Sequence, residues 1–296
     1  MKLDVRWPRP RAWWLVLPLA LVIAALAVWL PRQRPTPAAA TAGMRAGAAA
    51  PRSGPPAAAD REPTPRGPGL TPGRLPVPDP QGRIRVPVAD RVPPRLPVEG
   101  VPAGWSMKEF AGKAWVELIR DGTRLGLRLR SERSSFVLYR DVVVDLNAFP
   151  VLSWSWKVVR LPAHGDVRDR AADDQAAQVY VVFPRWPSPL RNSDVIGYVW
   201  DSRAPVGTKV TSTQAGNVRI IVVASGPGEL DTWRVEHRDV ARDYTELFGR
   251  QPPRVGQVAV MIDTDDTKAV AETLIGDIFF SRARLENMEM PTSMLR

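Results

Sequence analysis

Beyond about residue 98 the chain alternates apolar and polar side chains in short runs, the period-two signature of strands with one buried and one wet face. Trp115 to Arg130 reads WVELIR-DG-TRLGLRLR, two runs joined by Asp121-Gly122, which predicts a hairpin. On its second arm Leu125, Leu127 and Leu129 share one face, and Arg124, Arg128 and Arg130 share the other. A further strand is expected over 135–146. In Val151–Val158 the residues Leu152, Trp154, Trp156 and Val158 alternate with Ser153, Ser155 and Lys157. Tryptophans two apart on a strand can form a sugar-stacking platform, but the pattern assigns this pair to the core. A polar loop with His164 leads through Asp173-Asp174 into the run 178–183. More strands follow at 195–202, 218–225 and 232–240, with Gly and Pro between them. His237 shares a strand face with Trp233 and Val235, which predicts a packed histidine rather than a base. One short helix is expected: Asp239 caps it, Val240, Tyr244, Leu247 and Phe248 fall on one side, and Gly249 with Pro252-Pro253 ends it. About ten strands with one helix predict a mainly β domain, an antiparallel two-sheet sandwich or jelly roll over 98–296.

The N-terminal part has a different pattern. Residues 1–11 carry Lys2, Arg6, Arg9 and Arg11, and 12–30 are 19 residues without a charge, long enough to span a bilayer core. Trp13, Trp14 and Trp29 mark its two ends. A cleavable signal peptide is the alternative, but Ala40-Thr41-Ala42 lies too far beyond the apolar run. The expected arrangement is a single-pass signal anchor in the inner membrane with a short cytoplasmic basic segment and a periplasmic C-terminal domain. Residues 31–97 hold 17 prolines and few large apolar side chains, which predicts a disordered spacer.

Charge changes the picture once it is divided. The net charge of +10 belongs wholly to the first 97 residues, and 98–296 balance 26 basic against 26 acidic side chains. The folded part therefore has no electrostatic reason to seek nucleic acid. The absence of cysteine excludes disulfides, thiolate catalysis and cysteine-ligated metals.

The candidate chemistry centres on VAVMIDTDDT, Val258–Thr267, where an apolar strand ends in Asp263, Asp265 and Asp266. If its end meets Asp173 and Asp174, five carboxylates crowd one place and raise one another's pKa. Arginines such as Arg203 with loop N–H donors, or a structural Ca²⁺, could offset them. The spacing is not that of an EF-hand. Nucleophile elbows and glycine-rich phosphate loops are absent, and two distant histidines make zinc a poor fit. Tyr198 and Trp200, again two apart and followed by Asp201 and Arg203, are the candidate ligand-binding residues.

Several strings occur together and in order: LSWSWKV, DD followed by AQVYVVF, IGYVWDSRAPVGT, VEHRDV, and MIDTDDT followed by GDIFF. The chain resembles, over about 104–282, the bacterial domain-of-unknown-function family numbered 3047. The resemblance implies an exported β-sandwich similar in outline to carbohydrate-binding modules, and implies no activity. Ser155 and Gln178 stand where the family pattern has arginine, and Asp266 where it has asparagine, which weakens transfer of an anionic-ligand clamp. The expected function is a non-catalytic module binding a glycan or another envelope polymer. The alternatives are a carboxylate-based hydrolase of envelope polysaccharide and a purely structural envelope protein; open aromatic faces separate the first from the second, which needs a carboxylate pair across a groove.

Overall fold

The computed structural model describes residues 76–185 and 193–282. The expected membrane span and the spacer up to residue 75 lie outside the described residues. Among the described residues no helix is long and apolar enough to cross a membrane.

Fourteen strands and one α-helix are found there: β1 (Ile84–Val86), β2 (Val98–Glu99), β3 (Ser106–Ala111), β4 (Trp115–Asp121), β5 (Arg124–Glu132), β6 (Ser135–Val144), β7 (Val151–Arg160), β8 (Ala177–Phe183), β9 (Asp194–Asp201), β10 (Lys209–Thr211), β11 (Val218–Ser225), β12 (Arg234–Asp239), α1 (Val240–Phe248), β13 (Val255–Asp263) and β14 (Val270–Ser281). One sheet runs β12-β7-β14-β5-β4-β2 with β1 also on β14; the other runs β10-β11-β9-β8-β13-β6-β3. Every ladder is antiparallel except β9 with β11. That pair departs from the purely antiparallel expectation: the chain leaves β9, loops over the outer face of the sheet, and returns as β10 and β11 beside it.

The predicted hairpin is β4–β5, with Gly122 at φ 60° in its turn. Leu127 and Leu129 point inward, and Arg124 and Arg130 outward. The core lies between the sheets, where these leucines, Trp154 and Trp156 meet Phe136, Leu138, Val179, Tyr198 and Trp200. Trp154 packs edge-on to Trp156 at 5.4 Å and against Tyr198 at 5.3 Å, and Trp156 lies 6.0 Å from Trp200. The two tryptophans of β7 are thus core, as the alternation predicts. Helix α1 is capped as expected: the Asp239 side chain accepts from the Arg242 N–H at 2.9 Å, and Gly249 closes the helix at φ 67°.

Two expectations are corrected. The fold starts before residue 98: β1 pairs with the second half of β14, and Ile84, Val86 and Val88 are buried. The Trp105 indole donates to the Pro87 carbonyl at 3.0 Å. His237 is exposed rather than packed, because β12 is an edge strand whose Val235–His237 face is open; its Nδ1 meets Ser153 Oγ at 2.7 Å.

The two outer faces differ. That of the second sheet is covered: Val137, Tyr180, Val199, Ile220 and Met261 pack beneath loop residues Val167 and Ala204. The outer face of the first sheet carries a ladder of paired charges.

Candidate functional site

The two acidic segments do meet. Asp263 ends β13, and the turn Thr264–Ala269 carries the chain from the second sheet into β14 of the first. The Asp263 N–H donates to the Gln175 carbonyl at 3.1 Å, which draws the Asp173–Gln175 segment alongside. The Asp174 carboxylate accepts from the N–H groups of Asp266 (3.0 Å) and Thr267 (2.7 Å) and from the Thr267 hydroxyl. Asp173 accepts from the Gln175 amide at 3.0 Å and the Thr213 hydroxyl at 2.9 Å. One carboxylate oxygen each from Asp174, Asp263 and Asp265 lies within 4.8 Å of the other two.

N–H donors offset only part of this charge. Four side-chain oxygens are buried without a hydrogen-bond partner at this end: Asp263 Oδ2, Asp265 Oδ1, Asp266 Oδ2 and Ser135 Oγ. Ser135 is the direct cross-strand partner of Asp263, so the two side chains project from the same face. Among the described residues no lysine or arginine forms an ion pair with any of the five carboxylates. The expected Arg203 turns elsewhere, its guanidinium meeting His164 Nδ1 at 2.7 Å on the surface. Burial, reinforced by the hydrogen bond and charge of Asp265, pushes the Asp263 carboxyl well above the usual range. Burial raises Asp173 to about 6, and burial with the charges of Asp265 and Asp174 raises Asp266 to about 6. Beside them is a cavity of about 20 Å³, walled by Asp173, Asp263, Gln178, Tyr180 and Phe110, with space for one water molecule.

The aromatic candidates are corrected. Tyr198 and Trp200 are fully buried and present no face to a ligand. Their strand β9 is central, so its inner face is core and its outer face is roofed by loops; all eight of its residues are buried. The Tyr198 hydroxyl donates to Asp243 at 2.8 Å, and the Trp200 indole to the Gly226 carbonyl at 3.1 Å. Asp201 is also buried and holds its own loop, accepting from the N–H groups of Val167 (2.8 Å), Arg203 (2.7 Å) and Ala204 (2.6 Å). Of the four, only Arg203 is exposed.

Two half-buried tryptophans lie on the outer face of the first sheet. Trp115 begins β4 and points away from the buried Val116 and Leu118, with the Arg130 guanidinium stacked 4.3 Å above its ring. A groove of about 540 Å³ runs beside it, walled by Lys113, Arg130, Glu132, Arg133 and Val270. Further along, Arg128 bridges Glu117 (3.3 Å) and Glu272 (3.4 Å), and Lys157 bridges Asp121 (2.8 Å) and Asp231 (3.2 Å). Trp233 closes this row: its indole donates to Asp121 at 2.7 Å, and its ring covers Gly126 and Gly276. Sequence reasoning passed over both rings. The outward phase of Trp115 opposite Val116 and Leu118 was a usable signal, whereas nothing local marks Trp233.

The model of the family described as "Protein of unknown function (DUF3047)" matches residues 103–279. The chain belongs to that family. Gln178 accepts from the Tyr180 hydroxyl at the cavity wall, and Ser155 lies beneath Trp233 beside Gly276. Among solved structures this DUF3047 chain is similar to a family 11 carbohydrate-binding module from Clostridium thermocellum in complex with a β-1,3-1,4-mixed-linked tetrasaccharide. The two share 9% identity at a TM-score of 0.37, over 68% of this chain and 96% of that one. It is also similar to endoglucanase cel12A from Rhodothermus marinus, with 9% identity and a TM-score of 0.36 over 62% and 99%. No curated protein matches the chain.

Proposed function

We propose that the protein is a single-pass, inner-membrane-anchored envelope protein whose periplasmic β-sandwich binds a glycan or another envelope polymer without catalysis. The observation that carries the binding reading is the groove at Trp115. It falls in the size range of ligand sites and combines one accessible aromatic wall with side chains that donate and accept hydrogen bonds. Lys113, Arg130 and Arg133 outnumber Glu132 there, which favours an anionic polymer. A groove of similar volume beside α1 has no aromatic lining. The anchor rests on the uncharged stretch 12–30 and the basic residues before it.

Hydrolysis is the less supported reading. Asp173, Asp263 and Asp266, whose carboxyls are pushed up by burial, sit at the acidic end beside a cavity too small for a sugar ring. Of the outer-face glutamates, Glu117 and Glu272 share Arg128 between them and Glu132 pairs with Arg133, an arrangement that neutralises rather than frees them. The test is binding of the full chain to a panel of neutral and anionic polysaccharides, by glycan array and then calorimetry. Retention that falls at least about tenfold in Trp115→Ala, or more than about 1.4 kcal/mol, is expected. No retention, or retention unchanged in Trp115→Ala, overturns the reading. Release of reducing ends that Glu117→Gln abolishes replaces it with hydrolysis.

A further inference from the structure

We infer that the acidic end of the sandwich is a calcium site, built from Asp174, Asp263 and Asp265 with Asp266 and Ser135 beside them. The argument starts from Asp263, which is fully buried and leaves Oδ2 without a hydrogen-bond partner. A buried polar atom left unpaired is costly, and a buried anion far more so unless a positive charge compensates it. Three further unpaired oxygens at the same strand ends, on Asp265, Asp266 and Ser135, make the deficit collective. Lys268 and Arg170 lower the pKa of the Asp266 carboxyl from a distance, but no basic side chain among the described residues forms an ion pair with any of the carboxylates. A hydrogen bond between Asp263 and Asp265 through one shared proton would leave Asp266 and Ser135 unsatisfied.

The donor set and its irregular arrangement point to Ca²⁺. Oxygens on opposite sides of Ca²⁺ lie up to about 4.6–5.2 Å apart, whereas those around Mg²⁺ are limited to about 4.0–4.2 Å. One carboxylate oxygen from each of Asp174, Asp263 and Asp265 lies within 4.8 Å of the other two, a spacing that a Ca²⁺ shell accommodates. Ca²⁺ also accepts irregular shells of six to eight oxygens, and the adjoining cavity can supply a water ligand. Sulfur and imidazole, which softer metals prefer, are absent from the cluster.

Such an ion ties three parts of the chain together: the loop before β8, the end of β13, and the turn that crosses to β14. Through Thr264, whose hydroxyl meets Ser131 Oγ at 2.7 Å, it also braces the end of β5 that walls the Trp115 groove. The site stands independently of whether that groove binds a glycan.

The test uses the full chain in detergent, freed of metal and then titrated with Ca²⁺, Mg²⁺ or Tb³⁺. One Ca²⁺ per chain is expected, with a rise of about 5–10 °C in melting midpoint at a hundredfold excess over its Kd. Tb³⁺ should show emission sensitised by Tyr180, which borders the site, and Ca²⁺ should displace it. Asp263→Asn relieves the like-charge crowding, so it should fold in chelator at least as well as wild type while losing both responses. Ser135→Ala, a milder change, should weaken Ca²⁺ binding without unfolding the protein. Equal midpoints in Ca²⁺ and chelator with no Tb³⁺ emission overturn the proposal, as does a response to Mg²⁺ alone. A Ca²⁺ response that Asp263→Asn leaves intact overturns the assignment to these residues.

Discussion

The indole of Trp233 lies across Gly276, so close that a Cβ added there would come within 3.1 Å of the ring and closer still to Ser155 Oγ. The same ring is 3.5 Å from where a Cβ on Gly126 would sit. Two glycines on adjacent strands β5 and β14 thus form a flat seat for an aromatic that arrives from beyond the edge strand β12. Gly276→Ala should cost about 1–3 kcal/mol through overpacking, measured by denaturant unfolding. Gly126→Ala should cost less, because its neighbours begin at 3.3 Å. Equal and negligible losses would show that the ring is not held against the sheet.

The buried aromatic cluster predicts a graded series. Trp154→Ala should destabilise by about 3–5 kcal/mol, as large-to-small core substitutions do. Tyr198→Phe removes one donor from Asp243, which Arg238 still pairs at 2.6 and 2.9 Å, so its cost should be about 0.5–1.5 kcal/mol. Neither change should alter polysaccharide affinity. A loss of affinity in a fully folded Tyr198→Phe would return that residue to the ligand-binding side.

The raised carboxylates set a pH dependence for the protein in chelator. Asp173 and Asp266 titrate at about 6 when folded against 3.8 for the ordinary aspartate, and Asp263 higher still. Between pH 3.8 and 6 the native state therefore holds protons that the unfolded state releases, and these groups make stability fall as pH rises. On acidification from pH 7 to 5 the wild type should gain stability relative to Asp173→Asn and Asp266→Asn. Melting curves at the two pH values check this; parallel shifts in wild type and both variants refute it.

The early start of the fold predicts the effect of truncation. A fragment beginning at residue 98 lacks β1, uncovers the second half of β14 and loses the buried Ile84 and Val86. At about 1.5–3 kcal/mol for each buried side chain, it should be about 3–6 kcal/mol less stable than a fragment beginning at residue 76. Equal stabilities would show that β1 adds nothing.

Topology is tested apart from binding. A reporter fused after Arg296 should be active outside the cytoplasm, given the basic residues before the uncharged stretch 12–30. Strong cytoplasmic activity would reject both the orientation and the envelope placement.

Local pattern alone determined much of the architecture. The alternation in β5 and β7 placed Leu127, Leu129, Trp154 and Trp156 inside, and the caps Asp239 and Gly249 bounded α1. The crowding of Asp263, Asp265 and Asp266 is visible as sequence, because it is a matter of neighbours along the chain. Alternation separates the two faces of a strand, but it does not say what covers either face. Tyr198 and Trp200 have the spacing of an open platform, yet β9 lies centrally in its sheet with loops over its outer side. Ser135 joins Asp263 only through the β6–β13 register, and Asp174 reaches it only through the Gln175–Asp263 backbone bond. Trp233 finds its seat because β5 and β14 are neighbours that each present a glycine at that point. Strand order and register depend on packing between residues far apart in the chain, so the acidic site and the seat of Trp233 were decided by the tertiary structure.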